Sequence, residues 1–297
     1  MIRSNDSHAV GAAPDAGERI HKRLAEAGVA SRRTVESWIR DGRITVNGAP
    51  AVLGQRVARG DRIALDGKSL HVPAGHEATR VLRYKKRVGE VVTRADPEGR
   101  RTVFRKLPKL QSGRWIAVGR LDINTSGLLL MTNDGELARR LMHPSYDIER
   151  QYAVRVLGEI DDALLERLRR GVALEDGRAR CERIERQSDD ADADAANHWL
   201  SLSVHEGRNR LVRRLFESQG LQVSRLMRIS YGPIPLGHGI RSGTAQELEP
   251  AEVAALCAAV GLQPRKAEGP APQGRLRGSG PGSRRPGRPR PASGRRR

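Results

Sequence analysis

A chain of 297 residues is long enough to bury a proper core as one large domain or two unequal ones, more than a simple binding module needs. Its formal net charge of +19, carried mostly by arginine, implies a polyanionic partner, because the planar guanidinium fork suits phosphate. Two cysteines, Cys181 and Cys257, give no zinc-ligand spacing and no disulfide framework, no run reaches the ~18 apolar residues of a membrane span, and the N-terminus lacks the apolar region of a signal peptide. A soluble intracellular protein with no metal site is therefore expected.

Residues 1–17 are small, polar and aperiodic and read as disordered. Ile20, Leu24 and Ala27 then have helical spacing, Gly28 stops that helix, and Ser31 caps a second one carrying Val35, Trp38 and Ile39 and ended by Gly42. "RITVNGAPAV" reads as a strand, an Asn47-Gly48 hairpin turn and a return strand, closing a small unit near Leu70. Lys22, Arg23, Arg32, Arg33, Arg40 and Arg43 crowd the two helices and the entry to the hairpin. Few acids stand near Arg32 and Arg33, which favours a nucleic-acid face over a merely solvated one. A DNA-binding regulator could use such a unit, but the long remainder would then lack a purpose.

"PAGHEA" at 73–78 reads as a linker, and the following segment to Pro108 alternates short β-rich runs with turns such as Asp96-Pro97 and Glu98-Gly99. "RWIAVGRLD" and "GLLLMT" are expected as two more strands. Asn133 is expected to cap a helix with Glu136 three residues on, running through Leu137, Leu141 and Met142 to a stop at Pro144. "RQYAVRVLG" alternates as a strand, "DDALLERLRRGV" is a helix opened by acids, "QSDDADADAAN" an acidic surface loop and "ANHWLSLSVHEG" a strand. "NRLVRRLFESQG" is an amphipathic helix with Leu211, Val212, Leu215 and Phe216 on one side; "QVSRLMRISYG" is expected as the final strand and "PAEVAALCAAVG" as the last helix. Strands and helices in this irregular order indicate an α+β sheet rather than a regular βαβ winding. From Arg265 onward, eleven Lys or Arg against Glu268 alone put +10 of the +19 in a tail with almost no apolar side chains, expected to be disordered and to add salt-dependent affinity for RNA.

No Walker loop, dinucleotide fingerprint, serine-hydrolase or zinc-deaminase arrangement is present. Glycoside hydrolysis needs two carboxylates facing one bond; Asp122 and Asp134 are the only nearby pair, and spacing does not say whether they face each other. What remains is Asp122, at a strand end beside arginines, in a chain built to bind nucleic acid.

"GRLDINTSGLLLMTNDGELARRLMHPS", then "ERQYAVRV", then "EGRNRLVRRLFESQGLQVSRLMRISYG" resemble the three catalytic motifs of the RsuA/RluB/RluE/RluF group of ribosomal RNA pseudouridine synthases. The N-terminal unit resembles the RNA-binding domain named after ribosomal protein S4. The resemblance runs from about Glu18 to Gly261. It implies a small S4-like domain over 18–76, a larger, mainly antiparallel synthase domain flanked by helices over 77–262, and a basic tail over 263–297. It also implies isomerisation of a uridine to pseudouridine with no cofactor. "DPEGRRTVFRKLP" and "LVRRLFESQGLQVSRLMRISYGPIPL" look most like the member of the group that acts on 23S rRNA near the peptidyl-transferase centre. A different 23S or a 16S uridine, and a noncatalytic RNA-binding protein, stand as alternatives.

Carried over residue by residue, Asp122 is the nucleophile, Tyr152 the ring that stacks on uracil, and Arg213 the cation that keeps Asp122 ionised. For Arg213 the competing role is an exposed pair with Glu217. Arg120 would fill the gap left by a flipped base. Thr125 would orient Asp122, and Lys22, Arg23, Arg32, Arg33, Arg43, Arg208, Asn209 and Arg210 would contact RNA. The sequence departs from the family pattern after Tyr84, where the family often has Lys-Pro and Lys85 is followed instead by Lys86, and at Leu211; both are expected to lie clear of Asp122. The partner is ribosomal RNA, and a monomeric, cytoplasmic enzyme is expected.

Overall fold

The computed structural model describes residues 17–73, 75–187 and 197–267. The N-terminal unit runs β1 (Glu18–Arg19), α1 (Ile20–Glu26), α2 (Arg32–Arg40), β2 (Ile44–Val46), β3 (Ala49–Pro50), β4 (Arg56–Val57), β5 (Ile63–Leu65) and β6 (Lys68–Ser69). Ser31 caps α2 as expected, its hydroxyl accepting from Thr34 N at 3.0 Å. Asn47 and Gly48 take φ of 53° and 88°, both positive, as the two-residue turn between β2 and β3 requires. A four-stranded sheet, β3-β2-β5-β6, packs Ile44, Val46 and Ile63 against Ile20, Leu24, Val35 and Ile39 of the helices.

The larger unit comprises β7 (Val81–Lys86), β8 (Ile116–Ala117), β9 (Ser126–Thr132), α3 (Gly135–Met142), β10 (Arg150–Leu157), α4 (Asp162–Arg170), β11 (Val172–Leu174), β12 (Gly177–Ala179), β13 (Arg183–Arg186) and β14 (Asn197–Val204). It ends with α5 (Leu211–Glu217), β15 (Gln222–Tyr231), β16 (Ile234–Pro235), β17 (Ala245–Glu247) and α6 (Pro250–Ala258). One sheet runs β13-β14-β10-β15-β9-β7-β17, with β16 on β15 and β8 on β9. Every pairing in it is antiparallel except β15 with β9. The α+β architecture is the expected one.

β9 reads as an unbroken apolar run because both its faces are covered. Leu128 and Leu130 pack with α3 and α6, while Leu129 and Met131 face Leu82, Tyr84, Val103 and Trp115. A third cluster joins β10, β13, β14 and β15 to α4 and α5.

Three expectations need correction. The α3 cap is Asp134, whose carboxylate accepts from Glu136 N and Leu137 N at 3.0 and 3.2 Å. Asn133 instead bridges backbone, accepting from Arg80 N at 2.8 Å and donating to Ala78 O at 2.9 Å. A charged acceptor on a helix N-terminus is favoured by the dipole, which leaves Asn133 to tie the linker down. β15 is not the final strand, since β16 and the edge strand β17 follow it. The short hairpin β11–β12 and strand β13 also arise where none was expected, too brief to show a period. The acidic segment 188–196, the first sixteen residues and the tail beyond 267 lie outside the described residues.

The two halves of the sheet meet where Met227 pairs with Ser126 and Arg228 with Gly127. Gly127 has φ +99°, and a Cβ there would stand 2.2 Å from Arg228 O. Gly127→Ala is expected to destabilise the protein by about 2–5 kcal/mol through backbone strain and overpacking, read as a lower urea midpoint.

Candidate active site

A cleft of about 410 Å³ opens over this junction. The loop between β8 and β9 brings Arg120, Asp122 and Thr125, β10 brings Arg150 and Tyr152, and the turn before α5 brings Arg208, Asn209 and Arg210. β15 closes the floor with Leu226, Arg228 and Tyr231. Asp122 is half-buried, and its carboxylate makes no hydrogen bond or ion pair among the described residues. Tyr152, half-buried, leans on the apolar cluster under β10. Arg120 is exposed at the rim. Asp134 is elsewhere, buried as the α3 cap and bonded to Thr79 Oγ1 and Arg265, so the two carboxylates do not face one bond.

Arg213 sits beneath the loop rather than in the cleft. Its Nη2 donates to Asn124 O at 3.0 Å and its Nη1 to Val223 O at 2.9 Å, so the direct ion pair expected with Asp122 is not formed. Burial and then Arg210 push its pKa down, and the charge of Asp122 opposes them. The competing pair with Glu217 is also absent: Arg210 takes that carboxylate, at 3.2 Å. Arg213 thus braces the backbone that carries Asp122 and contributes its charge through space.

Lys86 is the residue that sequence reasoning missed, and the expectation that it lies clear of Asp122 is overturned. It is fully buried, and its Nζ donates to Asp122 O, Thr125 O and Arg87 O at 2.9, 2.8 and 2.9 Å, with Ile123 O at 3.4 Å. The ammonium ties the loop from residue 122 to 125 to the end of β7. Burial pushes its pKa down to about 8, against the charges of Glu90 and Asp122. Strand parity was the available signal, because Lys86 shares a side of β7 with buried Leu82 and Tyr84.

Thr125 acts through its backbone, N donating to Asp122 O at 3.0 Å, while its buried hydroxyl has no partner. Behind the cleft, Arg150 and Arg228 lie on Tyr231, each 5.0 Å from the ring centroid, and the Tyr231 hydroxyl donates to Leu141 O at 2.6 Å. Arg228 Nε donates to Leu128 O at 2.8 Å, tying the two halves of the sheet, and its Nη2 is buried with no partner.

The expected RNA contacts divide. Lys22 is paired with Glu18 at 2.6 Å, Arg43 with Asp66 while lying over Trp38, and Arg208 with Asp176 and Glu206. Those charges are largely balanced within the protein. Arg23 touches Arg59 O, whereas Arg32 and Arg33 are exposed and form no ion pair among the described residues. No group of three or more His, Cys, Asp or Glu among the described residues could hold a metal ion.

The family profile described as RNA pseudouridylate synthase matches residues 80–218, and the S4 domain profile matches 18–63. The chain is 53% identical over 249 residues to ribosomal large subunit pseudouridine synthase B of Pseudomonas aeruginosa, covering 84% of this chain and 64% of that protein. The protein of the same name from Shigella flexneri is 52% identical over 250 residues, covering 83% of this chain and 85% of that one. The chain spans about half the length of the Xanthomonas campestris relative, 51%. A crystal structure of a pseudouridylate synthase shares the fold, with TM-score 0.55 and 23% identity over 80% of this chain and 99% of that one. With a cleft assembled from loop, strand and helix segments, and with 52% of the 250 aligned residues shared with a relative it covers to 85%, the chain belongs to the RNA pseudouridylate synthase family.

Proposed function

We propose that the protein converts a uridine of 23S ribosomal RNA to pseudouridine, with Asp122 as nucleophile. The observation that carries this reading is the cleft itself, where a carboxylate with no protein partner stands with the Tyr152 ring and the exposed Arg120. The relatives named as large-subunit synthases supply the substrate class. Reactant and product are isomers. The bond from ribose C1′ to uracil N1 breaks, a bond from C1′ to C5 forms, the C5 proton leaves and N1 gains one. The protein's task is to extrude the base, hold it and move that proton.

Arg120 at the rim enters the gap left in the RNA, and Tyr152 stacks on the extruded ring. Residues 18–76 and the tail hold structured RNA, and residues 77–262 carry out the isomerisation. No helix among the described residues is long and apolar enough to cross a membrane, and we place a monomer in the cytoplasm with ribosomal RNA.

Pseudouridine mapping across all rRNA from a deletion strain, with and without the complementing gene, tests the reading. One 23S site should lose its modification and regain it. Loss at a 16S or second 23S position would move the target, and loss nowhere would end the enzymatic reading. Tyr152→Phe is expected to keep RNA affinity and lower turnover by about 10²-fold, since the ring remains while the proton-transfer hydroxyl is lost. Equal turnover would restrict Tyr152 to stacking.

A further inference from the structure

Past Met142 the cleft continues into a second groove, of about 550 Å³, between the two domains. One wall is Ser31, Arg32 and Arg33 at the head of α2; the other includes Arg114 and Met142 beside α3. Met142 lines both spaces and is 41% exposed.

Three arginines meet here. Arg32 reaches across the seam, its Nη2 3.9 Å from where a Cβ on Gly135 would stand. Arg114 is half-buried, its pKa pushed down by burial and then by the fields of Arg94 and Arg32, and its Nε has no hydrogen-bond partner. Neither these two nor Arg33 forms an ion pair among the described residues. Neither acid nearby is paired with them. Glu136 holds Arg139 and Arg140 at 2.6 and 2.8 Å, and Glu26 lies 3.8 Å from Lys22, its pKa raised by burial and Glu18 against the charges of Lys22, Arg265 and Arg32.

The backbones of the two units are close-packed at this seam. Gly28 and Gly113 meet backbone to backbone: a Cβ on Gly28 would lie 2.5 Å from Gly113 O, and one on Gly113 would lie 2.9 Å from Glu26 O. The half-buried Arg114 feels the like charge of the exposed Arg32, an arrangement that is unfavourable until an anion lies between them.

We propose that Arg32 and Arg114 form a phosphate clamp shared by the two domains, gripping the backbone of the RNA strand that leaves the cleft across Met142. The proposal rests on the reading of the cleft as an RNA-modifying site. Continuity with that cleft selects an RNA strand as the occupant, guanidinium forks match phosphate oxygens, and Met142 gives a sugar or base an apolar shelf.

The test uses the full chain, its Arg32→Ala and Arg114→Met variants and the double variant, with a 23S rRNA transcript. Each single change should weaken binding about tenfold at low salt and lower the slope of log affinity against log salt by about one. The double variant should lose less than the product of the two, since both arginines share one phosphate. Arg114→Met should melt no lower than the parent, because a repelling charge is removed while the stem's packing is kept. Unchanged salt slopes, or an affinity loss that tracks a lowered melting temperature, overturn the clamp. If the parent forms no pseudouridine while the slopes change as expected, the enzymatic reading fails and the clamp stands. If pseudouridine forms and the slopes are indifferent, the clamp alone fails.

Discussion

Asp122→Asn protein is expected to bind 23S rRNA as tightly as its parent and to form no pseudouridine, with turnover lowered by at least about 10⁴-fold. The substitution keeps the shape of the side chain and removes its negative charge. It leaves the loop intact, because Lys86 and Thr125 N hold the Asp122 carbonyl rather than its carboxylate. The urea midpoint should therefore stay with the parent's. The variant also separates two readings of the residue. Asn and Asp serve a turn equally well, so a turn former would tolerate the change. Single-turnover pseudouridine formation decides, and a variant as active as the parent would remove Asp122 from the chemistry.

Lys86→Met should lower turnover by about 10²-fold while leaving RNA affinity near that of the parent. Four carbonyl oxygens lie around Lys86 Nζ, three of them from the segment that carries Asp122. Without the ammonium that segment is free to shift, and an ångström of misplacement at a reacting group costs on this order. The pH dependence has an unusual sign. Lys86 titrates near 8 when folded, below its ordinary value of 10.5, so an unfolded chain binds the extra proton between those values. The contribution of this group to stability is fully present above the unfolded value and is lost as pH falls through the folded one. Turnover should move the opposite way, falling as pH rises through about 8 and the ammonium gives up one of its three donors. A pH-rate profile paired with unfolding midpoints checks both, and turnover in Lys86→Met within threefold of the parent would show that the loop holds itself.

Most elements were legible because they rest on local chemistry. Ser31 capping α2 and the Asn47-Gly48 turn need only their neighbours. The α3 cap moved by one residue because Asn133 has a distant obligation to Arg80 and Ala78, which no local rule contains. The site shows the same division. Asp122, Tyr152 and Arg120 were found by motif and do share the cleft. The partners of Arg213 were not foreseeable, since Asn124 and Val223 reach it only through the placement of β15 beside β9. Lys86 was hidden for a chemical reason: a lysine is seldom fully buried, so a run of two suggests a solvated edge unless strand parity is followed to its end.

The position of β15 also bears on when, during synthesis, the protein becomes complete. β15 fills the centre of the sheet between β9 and β10, yet it is among the last strands made. Until Tyr231 has been added, Asp122 and Tyr152 belong to two separate groups of strands with no strand in common. Domains fold as units with the N-terminal one first, and pairings between distant segments form slowly because loop closure precedes them. The basic helices of residues 18–63 therefore mature while the cleft does not yet exist. On the proposed function, an unfinished chain on the translating ribosome, with ribosomal RNA on every side, could hold nucleic acid before it could alter it.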